Sequence, residues 1–287
     1  GLYLPAADAG ELARALEAAV ARPAAVPAVA LVVRATRNGA LQDITIDVTP
    51  EGDGPDLTAR TYSRAETNPR AIPLADGRYR LRVRPVGIEG AAEREEKIEI
   101  VDGGRVERAF DYSTGQVAIG ATRNGALSDV TYQIFAAGDR RRAVATGRTY
   151  REASSNPART TIPAGKYEVV LTAIEIAGRP QAELPPIVVA PESEVAVAHE
   201  FSSGGLAVRV VRGETLIDAV VAVRAAGKTV GQGRTYLAAT SNPVRFTLQP
   251  GDYTAEVSEI RGAKRSLAVT IVAGAETDRE IDLATSD

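Results

Sequence analysis

The 287-residue chain contains no cysteine, no methionine and no tryptophan, and its only histidine is His199. Without cysteine there is no disulfide framework and no thiolate chemistry, which leaves every compartment open. One histidine and no cysteine cannot supply the nitrogen and sulfur ligands of a zinc site. General acid–base catalysis is left without a visible constellation. No apolar stretch reaches the roughly 18 residues of a membrane-spanning helix, and no signal peptide is recognisable. Charge of one sign is also missing. Lys and Arg number 34 against 37 Asp and Glu, a net −3, and no segment is basic overall, so nucleic acid is not an expected partner. Only four of the basic residues are Lys; with abundant Ala, this composition suggests a high-GC bacterial genome. The absence of Met leads to the expectation that the chain is trimmed, processed or cut from a longer protein.

What is present is one pattern stated three times. Arg60-Thr61-Tyr62, Asn68-Pro69 and Gly77-Arg78-Tyr79 are followed 88 residues later by Arg148-Thr149-Tyr150, Asn156-Pro157 and Gly165-Lys166-Tyr167. After another 86 come Arg234-Thr235-Tyr236, Asn242-Pro243 and Gly251-Asp252-Tyr253. A long fixed period with matching turn chemistry indicates tandem copies of one folding unit. Within each copy the apolar residues alternate, as in Ile44, Ile46, Val48 and Val130, Tyr132, Ile134, which marks half-buried strands. Asn38-Gly39, Asn124-Gly125 and Pro250-Gly251 are turn signals between them. About seven short strands per copy indicate a β-sandwich. Residues 1–28 differ. Asp8 and Glu11 form a capping box, and Leu12, Leu16 and Val20 share one helical face, predicting a helix over about 9–21. Arg22-Pro23 and Val26-Pro27 end it. The expected architecture is all-β: three tandem Ig-like or prealbumin-like sandwiches at 29–114, 115–203 and 204–287. A short N-terminal helix and Pro-rich linker occupy 1–28. Joints at Ser113-Thr114-Gly115 and Ser202–Gly205 are short, so a segmented rod with some bending at the glycines is expected.

The strand, NGALxD segment and second strand of each copy, with P-x-G-x-Y opening a later strand, resemble carboxypeptidase-regulatory-like and Cna-B-like bacterial modules. That resemblance implies a prealbumin-like sandwich with the Gly in a turn and the Tyr buried. The opening GLYLPAADAGELARALEAAV is similar to the closing strand and last helix of a von Willebrand factor A domain. It implies the C-terminal part of a larger bacterial protein. That family's Asp-x-Ser-x-Ser metal loop is not in this sequence, so none of its ion chemistry carries over.

Each candidate site has a structural reading beside the functional one. The Arg-Thr-Tyr…Asn-Pro signature is either a ligand site used three times or a fold requirement. As a fold requirement, Tyr62, Tyr150 and Tyr236 fill core volume with the hydroxyl on a backbone group. Asn68, Asn156 and Asn242 then close local Asx turns. Recurrence in every copy favours the structural reading. His199 falls in the slot of Phe110 and Ile281 and reads as a core or boundary histidine. Asp43, Asp129 and Asp218 recur beside the second strand; they read as turn-closing residues ahead of a Ca²⁺ cluster. Arg78, Arg80, Arg82 and Arg84 share one face of one strand. They await an acidic partner or pair with Glu93, Glu95 and Glu99 across the sheet, and the ladder is favoured.

The functional expectation is a non-catalytic arm that spaces, presents or mediates protein–protein contact or self-association outside the cytoplasm, periplasmic or at the cell surface. No cofactor is expected. Leu12, Leu16, Arg80, Arg82 and Arg84 are the candidate contact residues. The alternative is a module whose loop tips recognise a glycan or another extracellular ligand.

Overall fold

A computed structural model describes residues 29–260 and 262–284. The predicted helix, with Leu12 and Leu16, lies outside these residues. Among the described residues every regular element is a β-strand.

The first repeat contains β1 (Val29–Arg37), β2 (Ala40–Leu41), β3 (Ile44–Pro50), β4 (Leu57–Arg60), β5 (Arg70–Pro73), β6 (Gly77–Pro85), β7 (Arg94–Ile100) and β8 (Val106–Asp111). They form two sheets. In one, β1 pairs with β5 and β2 and, in parallel, with β8; the other has the order β4-β3-β6-β7. The second repeat contains β9 (Thr114–Arg123), β10 (Ala126–Leu127), β11 (Val130–Ala136), β12 (Asp139–Arg148), β13 (Ala158–Pro163), β14 (Gly165–Ala173), β15 (Gln181–Glu183), β16 (Ile187–Val189) and β17 (Glu194–Phe201). The third contains β18 (Gly204–Arg212), β19 (Thr215–Leu216), β20 (Ala219–Ala225), β21 (Lys228–Arg234), β22 (Val244–Leu248), β23 (Gly251–Glu259), β24 (Lys264–Ile271) and β25 (Glu276–Asp282). Both repeat the two-sheet plan, with β17 parallel to β9 and β25 parallel to β18. Parallel first and last strands bring the chain in at one end of each sandwich and out at the other.

Alternation explains the layers. Ile44, Ile46 and Val48 of β3 are buried while Thr45 and Asp47 between them are not, and Leu81 and Val83 of β6 face them from the neighbouring strand. Each fully buried Ile or Leu contributes about 1.5–3 kcal/mol of burial. The apolar residues gather into three separate cores, one per repeat. The Asn-Gly turns are as expected: Asn38, Gly39, Asn124 and Gly125 all have positive φ, the requirement of a tight hairpin.

The chain divides into two compact units, one ending at Ser113 and one beginning at Thr114. The second unit holds two cores. Gly115 and Gly204 lie inside β9 and β18, where a Cβ would stand 2.4 Å from the Ala190 carbonyl and 2.3 Å from the Val272 carbonyl. They permit close packing of strand on turn within their own repeats.

Candidate interaction surface

The signature separates into an inner half and an outer half. Thr61, Thr149 and Thr235 are fully buried. Each hydroxyl donates to a carbonyl just before the second long strand of its repeat (Gln42 at 2.9 Å, Ser128 at 2.8 Å, Ile217 at 2.7 Å). Each also accepts the first amide of that strand, from Ile44, Val130 or Ala219. Asn68, Asn156 and Asn242 are buried as well. Asn156 accepts the Ala121 amide at 3.1 Å and donates to the Ala121 carbonyl at 2.7 Å and the Ser128 carbonyl at 3.2 Å. Asn68 makes the same bonds to Ala35 and Gln42. Asn242 makes them to Val210 and Ile217. Thr and Asn therefore share one carbonyl and clamp the first strand of one sheet to the start of the other. The Asn side chain spans more than thirty residues of sequence here, where a local Asx turn was expected. The following Asn-Pro bond is cis in all three repeats.

The outer half overturns another expectation. Tyr62, Tyr150 and Tyr236 do not fill the core; they are 47%, 46% and 49% exposed. The reason is local: β4, β12 and β21 end at the Arg, the next residue is the inward Thr, and the Tyr after it lies beyond the strand with its ring turned to solvent. Each ring lies under the guanidinium two residues earlier, with Arg60, Arg148 and Arg234 at 4.7, 5.0 and 4.9 Å from the centroid. Each Arg is fixed in turn by a two-pronged pair with an aspartate: Asp43 (2.8 and 2.5 Å), Asp129 (2.5 and 2.5 Å) and Asp218 (2.7 and 2.6 Å). Such bidentate pairs are directional as well as charged. The aspartates are thus ion-pair anchors, neither turn-closing residues nor a Ca²⁺ cluster. The Arg hydrogen bonds hold all three carboxyls below the usual 3.8. At Tyr62 the backbone itself is unusual, with φ +56 in the left-handed region that a bulky residue rarely adopts.

The other tyrosine set meets its expected burial only at Tyr167, while Tyr79 and Tyr253 are half-buried against their cores. Tyr79, Tyr167 and Tyr253 donate to the carbonyls of Ala75, Pro163 and Gln249, four residues earlier, at 2.8, 2.7 and 3.0 Å. Tyr167 is buried, and desolvation pushes its hydroxyl above 10.0. His199 is half-buried, with its ring 4.5 Å from and edge-on to Phe201. No group of three or more His, Asp or Glu placed to hold a metal occurs among the described residues.

On the first repeat the arginine stripe is paired. Arg82 reaches Glu93 at 3.0 Å and Glu95 at 3.1 Å, Arg80 reaches Glu95, and Arg78 reaches Glu99. Arg84 pairs with Glu93 and also with Asp47 of β3, a partner outside the expected Glu set. A paired stripe is an exposed ladder and not a free basic surface.

No family model matches the sequence, and a search of curated proteins returns no match. Among solved structures, the chain is similar to the Bacillus anthracis TIE protein at 17% identity and a TM-score of 0.30, over 88% of this chain and 50% of that one. The chain therefore spans half the length of that protein. It is also similar to GBS52, the minor pilin of Streptococcus agalactiae, at 14% identity and a TM-score of 0.32, over 58% of this chain and 94% of that one. A putative adhesin from Bacteroides ovatus aligns at 7% identity and a TM-score of 0.35, over 69% and 93%. Likenesses of this size carry no argument about function. No helix among the described residues is long and apolar enough to cross a membrane.

Proposed function

We propose that this chain is a non-catalytic arm of three β-sandwich modules that presents contact surfaces for a larger bacterial protein outside the cytoplasm. The single observation that carries the reading is the Asp–Arg–Tyr stack. Three tyrosine rings, half-exposed, are each fixed by an Arg that is itself fixed by an Asp. A ring pre-positioned in this way loses little conformational freedom on contact, which is why rigid aromatics make effective interface anchors. The resemblance to carboxypeptidase-regulatory-like and Cna-B-like modules, and of residues 1–20 to the end of a von Willebrand factor A domain, supports an arm attached to a head domain. Glycan recognition is the second reading, since an exposed tyrosine face suits a sugar ring. It is the weaker of the two because each repeat exposes one signature ring rather than a cluster at a single tip.

The test uses the full chain against a display library of bacterial surface-protein domains and a glycan microarray. Protein binding that falls at least tenfold in a Tyr62→Ser/Tyr150→Ser/Tyr236→Ser variant of unchanged unfolding midpoint is expected. Tyrosine-dependent signal on the glycans would transfer the argument to the second reading, and binding untouched by the triple substitution would remove the stacks as its carriers.

A further inference from the structure

The second and third repeats, both inside the second compact unit, are joined by Ser202 and Ser203 between β17 and β18. A free linker of this length would let the joint bend and twist. Ser203 is not free, being 3% exposed. The side chain of Asn124, at the β9–β10 turn of the second repeat, accepts its amide at 3.0 Å and donates to its carbonyl at 2.8 Å. From the other side, the Gly274 amide of the third repeat donates to the same carbonyl at 2.8 Å. The turn that carries Asn124 is itself tied down, because the Gly125 amide donates to Glu200 of β17 at 2.8 Å. The hairpin does not need an Asn there. In the third repeat Val211 and Arg212 pair with Leu216 and Thr215 as Thr122 and Arg123 pair with Leu127 and Ala126, and Gly213 takes the place of Asn124. The Asn124 side chain therefore serves the joint and not its own turn.

A second contact lies on other strands. After β14 the chain turns at 176–179, closed by the Arg179 amide on the Ile176 carbonyl at 2.9 Å. Ile176, 1% exposed, belongs to the core of the second repeat, and Ala177, the next residue, packs against the core of the third. The Ala177 amide donates to the Thr247 carbonyl of β22 at 2.8 Å. Gly231 of β21 leaves the room for it: a Cβ there would lie 3.4 Å from the Ala177 methyl and 3.2 Å from the Phe246 ring. Gly178, with φ +81, passes so near Val230 that a Cβ on it would stand 3.2 Å away. Glu175 braces the base of the loop, paired with Arg151 and facing Arg123 at 3.8 Å.

We infer that the second and third repeats move as one rigid body, fixed by Asn124 at the linker and by Ala177 in its seat on β21 and β22. The linker contact alone would permit rotation about Ser203, and the Ala177 contact removes that rotation. Adjacent residues in two cores leave no slack: a change in the angle between the repeats must draw Ile176 from one core or Ala177 from the other. The rigidity has a consequence that rests on the reading of the stacks as contact surfaces. A rigid pair holds the Tyr150 and Tyr236 rings at one separation, so a partner that touches both meets a surface already ordered.

Residual dipolar couplings of the full chain in a dilute aligning medium test the rigidity. Two modules that move together share one alignment tensor, and two that move separately do not. Backbone amides of the second and third repeats of the wild type should fit a single tensor. Asn124→Ala/Ala177→Asp removes the bonds to Ser203 and puts a carboxylate into the apolar seat. Its two repeats should need tensors of unequal magnitude. Asn124→Ala/Gly231→Val, which fills the seat and leaves the loop unchanged, should do the same. Couplings fitted within each repeat alone report whether each sandwich keeps its fold, so loss of the joint and loss of fold are read apart. Unequal tensors in the wild type, or one tensor surviving in both double variants, would overturn the proposal. Neither result bears on whether the stacks bind a partner, which the tyrosine substitutions decide separately.

Discussion

Replacing Asn156 by Ala removes the clamp between the two sheets of the second repeat, and the cost can be worked out from its partners. Asn156 is 4% exposed and satisfies the Ala121 amide, the Ala121 carbonyl and the Ser128 carbonyl. The Ser128 carbonyl keeps the Thr149 hydroxyl, so it is not orphaned. The Ala121 carbonyl likewise keeps the Ser128 amide at 3.0 Å, so the group left without its partner is the amide of Ala121, itself 2% exposed. One buried group left unsatisfied costs about 1–3 kcal/mol, before any cavity is counted. Against a typical stability of about 5–15 kcal/mol this is a substantial fraction. The chain has no Trp, so urea unfolding followed by far-ultraviolet circular dichroism and tyrosine fluorescence is the assay. Asn68→Ala and Asn242→Ala should lose similar amounts, because their bonds match. Asn156→Asp keeps the shape but cannot donate to the carbonyls, and should be at least as damaging. Ala153→Ser, on the exposed turn between signature Tyr and Asn, is the control and should stay within about 0.5 kcal/mol. A loss under about 1 kcal/mol for Asn156→Ala would refute the clamp.

Three further outcomes follow from the same geometry. Tyr167→Ala should cost about 3–5 kcal/mol because the ring is buried, whereas Tyr150→Ala should barely move the unfolding midpoint; equal losses would contradict the division between the two tyrosine sets. Asp43, Asp129 and Asp218 titrate below 3.8 in the folded state, so the stability they contribute is complete above the unfolded value and is lost as pH falls through the folded one. The urea midpoint of an Asp43→Asn/Asp129→Asn/Asp218→Asn variant should therefore lie below wild type near pH 6, with a gap that narrows as pH falls below 3.8; a constant gap as pH is lowered would rule the linkage out. Arg82→Glu places a carboxylate between Glu93 and Glu95 and should give a small loss that shrinks with added salt; a salt-independent loss would show that the ladder is not electrostatic.

The all-β plan was legible because it rests on local signals. Alternating apolar residues, Asn-Gly turns and the long period each state part of it, and the period shows that the parts belong together. The arginine ladder was legible for a similar reason, since Arg82 and Glu95 lie on two strands joined by one short connection. The signature was read with its faces reversed. Arg60-Thr61-Tyr62 looks like an aromatic entering a core until Thr61 is recognised as the inward residue. A doubly bonded hydroxyl that receives the first amide of another strand is a tertiary fact. Asp43 and Arg60 sit on adjacent strands 17 residues apart. Nothing local joins them, yet the same pair recurs as Asp129 with Arg148 and as Asp218 with Arg234, and three coincident pairs are a usable signal. The Asn clamp reaches across more than thirty residues to backbone atoms, which leave no mark in a side-chain pattern. The contact of Ala177 with Gly231 and the Thr247 carbonyl is hidden for the same reason: its partners are a backbone group and a glycine, conspicuous only for the side chain it lacks.

Tyrosine nitration of the native full chain, read by mass spectrometry, tests most directly the claim that the signature presents its ring to solvent. Tyr62, Tyr150 and Tyr236 should react readily, while Tyr112, Tyr132 and Tyr167, each 5% exposed, should stay unmodified until the chain is unfolded. Protection of the signature tyrosines to the level of Tyr167 would contradict the account.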